Sequence, residues 1–162
     1  MQRNRAFVRY LKNIAFVCAL VFYEIYTMTN QLLPPLIGLF FAYLIVLQYE
    51  KDESHKDFPI NWYVCIGFLL ICEQTHNFRL FSIGISFVIF YYFIFDYLLE
   101  NIKFRNILLI VTVISGYILA LGISNLLSYI MQIPYLPLGE EYALYMLVES
   151  LLATICLKGR IL

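Results

Sequence analysis

Residues 71–80 read ICEQTHNFRL and bring a thiol (Cys72), a carboxylate (Glu73), an imidazole (His76) and a guanidinium (Arg79) into one short stretch. These groups are the raw material of a metal centre or an acid–base site. On a continued helix Glu73 and His76 are three apart and Cys72 and His76 four apart, so all three share adjoining faces. A zinc centre takes three or four protein ligands. One helix end supplies three at most, and the other histidine, His55, sits at the far end of the preceding apolar run. The same separation excludes a bis-histidine haem, so no metal or cofactor is expected. Two readings stay open. One is a polar corner between two helices, with Glu73 and Arg79 paired across the turn. The other is a partner or small-ligand site built from Glu73, His76 and Arg79.

A second chemical candidate is Glu149, in the middle of YALYMLVESLLATICL with no cation in its own run. A carboxylate in apolar surroundings is either protonated or paired with a polar group across the fold. Cys18, Tyr23 and Glu24 of the first helix are its expected neighbours. Glu24 itself is expected to reach the outer interface, and Asp96 and Glu100 to form a surface cluster with Lys103.

What must position these residues is a set of apolar segments. The chain has 162 residues, of which 62% are hydrophobic and 14% charged. Soluble domains are nearer half apolar and a quarter charged, so lipid is expected as solvent here. Six segments emerge at about 13–29, 35–49, 61–74, 80–99, 106–130 and 142–157. They are continuously apolar, which argues for helices and against a barrel. About 20 residues cross the hydrocarbon core; the fourth and fifth segments reach that length, whereas the second, third and sixth need polar flanks or shielding neighbours.

Ten of the 11 Lys and Arg residues fall on alternate connections or at the ends: Arg3, Arg5, Arg9, Lys12, Lys51, Lys56, Lys103, Arg105, Lys158 and Arg160. Only Arg79 falls on the other side. The positive-inside rule makes the ten cytoplasmic. The expectation is an all-α integral membrane protein of one domain (1–162), a compact bundle of six transmembrane helices with both termini cytoplasmic. The basic start and first apolar run lack a small-residue cleavage site, so a retained helix is expected rather than a signal peptide. The four cysteines form no C-x-x-C pair and read as small buried hydrophobes.

The fifth segment carries Gly116, Ala120, Ser124 and Ser128, a small residue every four positions. Such a stripe admits a close helix neighbour, either from this bundle or from a partner in the membrane. Zero formal net charge disfavours nucleic acid. No G-x-S-x-G, H-E-x-x-H or P-loop is present, and an enzyme is not expected.

The run LLPPLIGLFFAYLIVL at 32–47 resembles the second helix of the MreD rod-shape-determining family, where proline opens an apolar run. WYVCIGFLLICEQTHNFRLFSIGISFVIFYYFIF at 62–95 is similar to that family's central section, with Gly67-Phe68 followed by the acid Glu73 and an aromatic-rich helix. The family usually carries Asp at the acid and Gly at Leu80-Phe81. The resemblance covers nearly the whole chain. It implies a non-enzymatic scaffold of the cell-elongation machinery in the bacterial inner membrane. The implied partner is an MreC-like single-span protein, which would link MreB filaments to a RodA-type peptidoglycan synthase and its transpeptidase. The alternative is the substrate-binding S component of an energy-coupling-factor vitamin transporter, whose alanine-x-x-x-alanine motif Ala15 and Ala19 would match. Another accessory or assembly membrane protein is the remaining possibility.

Overall fold

The computed structural model describes residues 2–30, 33–55, 57–137 and 139–157, with side chains described from residue 14 onward. Lys56, Lys158 and Arg160, three of the cations used above to orient the chain, lie outside the described residues. Six helical rods follow in order: α1 (Gln2–Thr29), α2 (Ile37–Ser54), α3 (Ile60–Thr75), α4 (Ser82–Asn101), α5 (Arg105–Ile130) and α6 (Glu141–Cys156). No strand occurs among the described residues.

The rods follow the six apolar segments, with shifts that have local causes. α2 starts at Ile37 rather than 35, because Leu36 turns left-handed with φ 59°, outside the right-handed helical region. It then runs past Tyr49 to Ser54, since the charged residues 50–54 are adequate helix formers in water. α1 likewise extends back to Gln2 through its basic residues.

α4 contains a π-helical turn over Phe90–Phe95. Widening the helix there brings residues five apart onto one face. Phe90 and Phe95 are accordingly both buried, with ring centroids 6.2 Å apart, and Phe90 meets Phe41 of α2 edge-on at 5.7 Å.

α2 is the central rod. Its Ile37, Phe41, Ala42, Leu44, Ile45, Val46 and Leu47 are all buried, and it packs on α3, α5 and α6. α1 packs chiefly on α3 and leaves Phe16, Phe22, Ile25 and Tyr26 exposed. Large apolar side chains also cover the outside of α4, α5 and α6, among them Phe93, Ile118, Leu147 and Ile155. Ser82–Asn101 and Arg105–Ile130 are each long and apolar enough to cross a membrane.

Candidate functional site

Three glutamates, Glu24, Glu73 and Glu149, have no exposed surface. Each carboxylate must therefore find donors inside the bundle.

Glu73, two residues before the end of α3, faces the start of α4. It accepts the Phe81 amide at 2.9 Å, the Ile83 amide, and the Ser82 hydroxyl at 3.4 Å. The first amides of a helix have no partner within it and carry partial positive charge, so a carboxylate there is stabilising. Phe81 adopts φ 66° to aim its amide inward. Glu73 is thus a cap for α4, and the expected pair with Arg79 does not form.

Arg79 is spent elsewhere. Its amide donates to the Ser124 hydroxyl at 3.0 Å, its Nε to the Ser128 hydroxyl at 2.9 Å, and its Nη2 to the Pro134 carbonyl at 3.1 Å. Asn125 holds the same loop by accepting the Leu136 amide at 2.8 Å. The connection between α5 and α6 is therefore tied down by side chains of the α3–α4 corner and of α5.

These bonds also account for the small-residue stripe. Gly116, Ala120, Ser124 and Ser128 are all buried within the chain's own bundle. A Cβ on Gly116 would lie 2.7 Å from the Phe41 ring of α2. The stripe receives α2 and the α3–α4 corner, and it is not presented outward as a surface for a partner's helix.

Glu149 repeats the device of Glu73 at the start of α2. Its Oε2 accepts the Leu39 amide at 2.9 Å and its Oε1 accepts the Tyr117 hydroxyl. Leu36, like Phe81, is a left-handed residue without glycine's freedom, held where the carboxylate gathers the helix's first amides. The hydrogen-bond partners of Glu149 are Tyr117 of α5 and the backbone of α2 rather than groups of the first helix. Gly38 packs so closely on Val113 and Tyr117 that an added Cβ would lie 2.7 Å from Val113.

Glu24, expected to reach the outer interface, is instead wholly buried within the bundle. Its Oε1 accepts the Thr75 hydroxyl and lies 3.0 Å from His76 Nε2, whereas its Oε2 has no hydrogen-bond partner. Thr27 Oγ1 lies 3.4 Å from the same His76 nitrogen. His76 thus leaves the Cys72–Glu73 grouping suggested by its spacing and joins α1 to α3. The available signal was that Glu24 and His76 both fall near the C-terminal ends of their helices.

The buried thiols act as donors to α2 and the segment before it, Cys65 to the Phe40 carbonyl at 3.1 Å and Cys72 to the Pro35 carbonyl at 3.6 Å. No group of three metal-ligating side chains occurs among the described residues. A groove of about 570 Å³ opens between α1, α2, α3 and α6, lined mainly by Phe16, Leu20, Leu39, Phe40, Ile60 and Cys156. No family, curated protein or solved structure matches this chain.

Proposed function

We propose that the chain is a non-enzymatic, multi-pass scaffold of the bacterial inner membrane, with six spans and both termini in the cytoplasm. The observation that carries this reading is the inverted polarity of the bundle. Glu24, Glu73, Glu149, Ser82, Ser86, Ser124 and Ser128 are inside, while Phe22, Phe93, Ile118, Leu147 and Ile155 face out. A hydrocarbon solvent demands this arrangement, because each unsatisfied polar group costs several kcal/mol there. Exposed Phe104 and Tyr129, at opposite ends of α5, fit the interfacial aromatic belts.

The scaffold would serve cell elongation, binding an MreC-like single-span protein and through it coupling MreB filaments to a RodA-type synthase and its transpeptidase. With the α5 stripe occupied internally, the exposed side of α1 is the proposed contact for the partner's helix. The S-component alternative needs a polar outward cavity; Glu73, His76 and Arg79 are instead bonded to the chain's own groups, which favours the scaffold.

The test has two arms. Reporter fusions at residues 55, 103 and 162 should all report the cytoplasm, and fusions at 77 and 135 the outside. Affinity-tagged protein should retain an MreC-like single-span protein in mild detergent, and Phe22→Glu should release it. A tail reporting the outside would end the six-span arrangement, and retention of two ATPases with a vitamin would favour the transporter.

A further inference from the structure

Resting on the membrane placement proposed above, we infer that the groove between α1, α2, α3 and α6 seats one acyl chain of an anionic phospholipid, its phosphate held by a basic face of α1. Phe16 and Leu20 of α1, Leu39 and Phe40 of α2 and Val64 of α3 line a volume of about 570 Å³. Cys65 lines it as well, but its thiol is turned to the Phe40 carbonyl at 3.1 Å. A polar pair stands at one end, where the Asn61 amide donates to the Tyr43 hydroxyl at 3.2 Å.

The depth of the groove matches one leaflet. Leu36, at one end, belongs to the turn of α2 that Glu149 holds through the Leu39 amide. Leu157, at the other, follows the last turn of α6. The stretch from Glu149 to Leu157 rises about 12 Å, against about 15 Å for half of the hydrocarbon core. In the proposed orientation this is the cytoplasmic half. A helix with its side chains is about 10 Å across and rises about 5.4 Å per turn, so the same volume would hold only about one turn of a partner's span or of a second copy. A single hydrocarbon chain is the better fit.

Hydrocarbon alone gives no preference for a lipid, because a chain entering from the bilayer leaves equally apolar surroundings. The headgroup must supply it. α1 is one continuous helix from Gln2 to Thr29. Arg5, Arg9, Lys12, Phe16 and Leu20 recur along it every three or four positions, which puts all five on one face. The face that borders the groove therefore continues into three cations toward the proposed cytoplasmic end, and no carboxylate precedes Glu24 in that helix. Basic sites between membrane helices on the cytoplasmic side recognise anionic headgroups.

The test uses the full chain in detergent, with dioleoyl phosphatidylglycerol as the anionic probe and dioleoyl phosphatidylcholine, which has the same chains, as its zwitterionic control. Native mass spectrometry should show one phosphatidylglycerol retained per chain in preference to phosphatidylcholine. Arg9→Gln together with Lys12→Gln should lower that retention at least about tenfold, since each cation near a lipid surface contributes roughly fivefold. Val64→Trp, which fills the groove, should abolish it at an unchanged melting temperature; Leu20→Trp makes the same comparison from α1 if Val64→Trp does not fold. Equal retention of the two lipids, or a phosphatidylglycerol preference surviving either the charge or the filling variants, overturns the inference. So does release by Val64→Trp of a single-span protein or of a chain dimer in place of the lipid. A chain recovered outside the membrane fraction would sink the membrane placement and the groove together, whereas a membrane-embedded chain without lipid preference sinks only the groove.

Discussion

Arg79 Nε donates to the Ser128 hydroxyl at 2.9 Å, joining the α3–α4 corner to the C-terminal turns of α5. The same guanidinium reaches the Pro134 carbonyl at 3.1 Å, so one planar group fastens a helix and a loop to the α3–α4 corner. Lysine has one flexible ammonium and cannot reproduce that fork. Arg79→Lys should cost about 1–2 kcal/mol. It should also speed amide hydrogen exchange at 133–136 relative to the helices, and an unchanged exchange pattern would show that Asn125 alone holds the loop.

Replacing the Glu73 carboxylate by an amide turns one acceptor oxygen into a donor facing donors. Glu73→Gln should lower stability by about 1–3 kcal/mol, read as a drop in melting temperature in detergent. Glu100→Gln, at an exposed position, should leave it within about 0.5 kcal/mol. Equal melting of the two variants would mean that α4 does not need its cap.

Gly116 and Gly122 lie on the same helix in opposite circumstances. A Cβ at Gly116 meets Phe41 at 2.7 Å, and one at Gly122 meets nothing within 4 Å. Gly116→Ala should cost about 1–3 kcal/mol through overpacking, and Gly116→Ile more. Gly122→Ala should be neutral or stabilising by up to about 1 kcal/mol, because alanine is the better helix former. Thermal unfolding of both variants in one detergent would expose a reversed order.

At the other end of the bundle the Tyr91 hydroxyl donates to Asp52 at 2.6 Å and holds that carboxyl below the usual carboxylate range. A depressed acid contributes stability above its unfolded titration, and the contribution is lost as the pH falls through its folded titration. Asp52 is 42% exposed, so water screens the pair and Tyr91→Phe should cost less than about 1 kcal/mol at neutral pH. The melting gap between wild type and Tyr91→Phe should close as the pH is lowered through the carboxylate range. A gap that widens instead would contradict the assigned sign.

The six rods were legible because continuous apolar runs separated by Pro, Gly and charge leave little choice of element. The identities of the polar partners were not. Spacing suggested Glu73 with Arg79, but the nearby unpaired amides of α4 are better placed for the carboxylate, and the guanidinium finds Ser128, 49 positions away. The four-residue period of Gly116, Ala120, Ser124 and Ser128 marked a close contact without saying whose. Phe41 answers that, and no local pattern in either helix names the other. The π turn at 90–95 likewise has no separate sequence signal beyond a run of aromatics that all need room.

Leu39 receives its acceptor from a residue 110 positions later in the chain. During synthesis the opening turn of α2 therefore waits, uncapped, until the last rod has emerged. Tyr117, halfway along Arg105–Ile130, marks how deep that turn lies. The first turn of α2 is accordingly completed by α6, a segment made much later than the turn it closes.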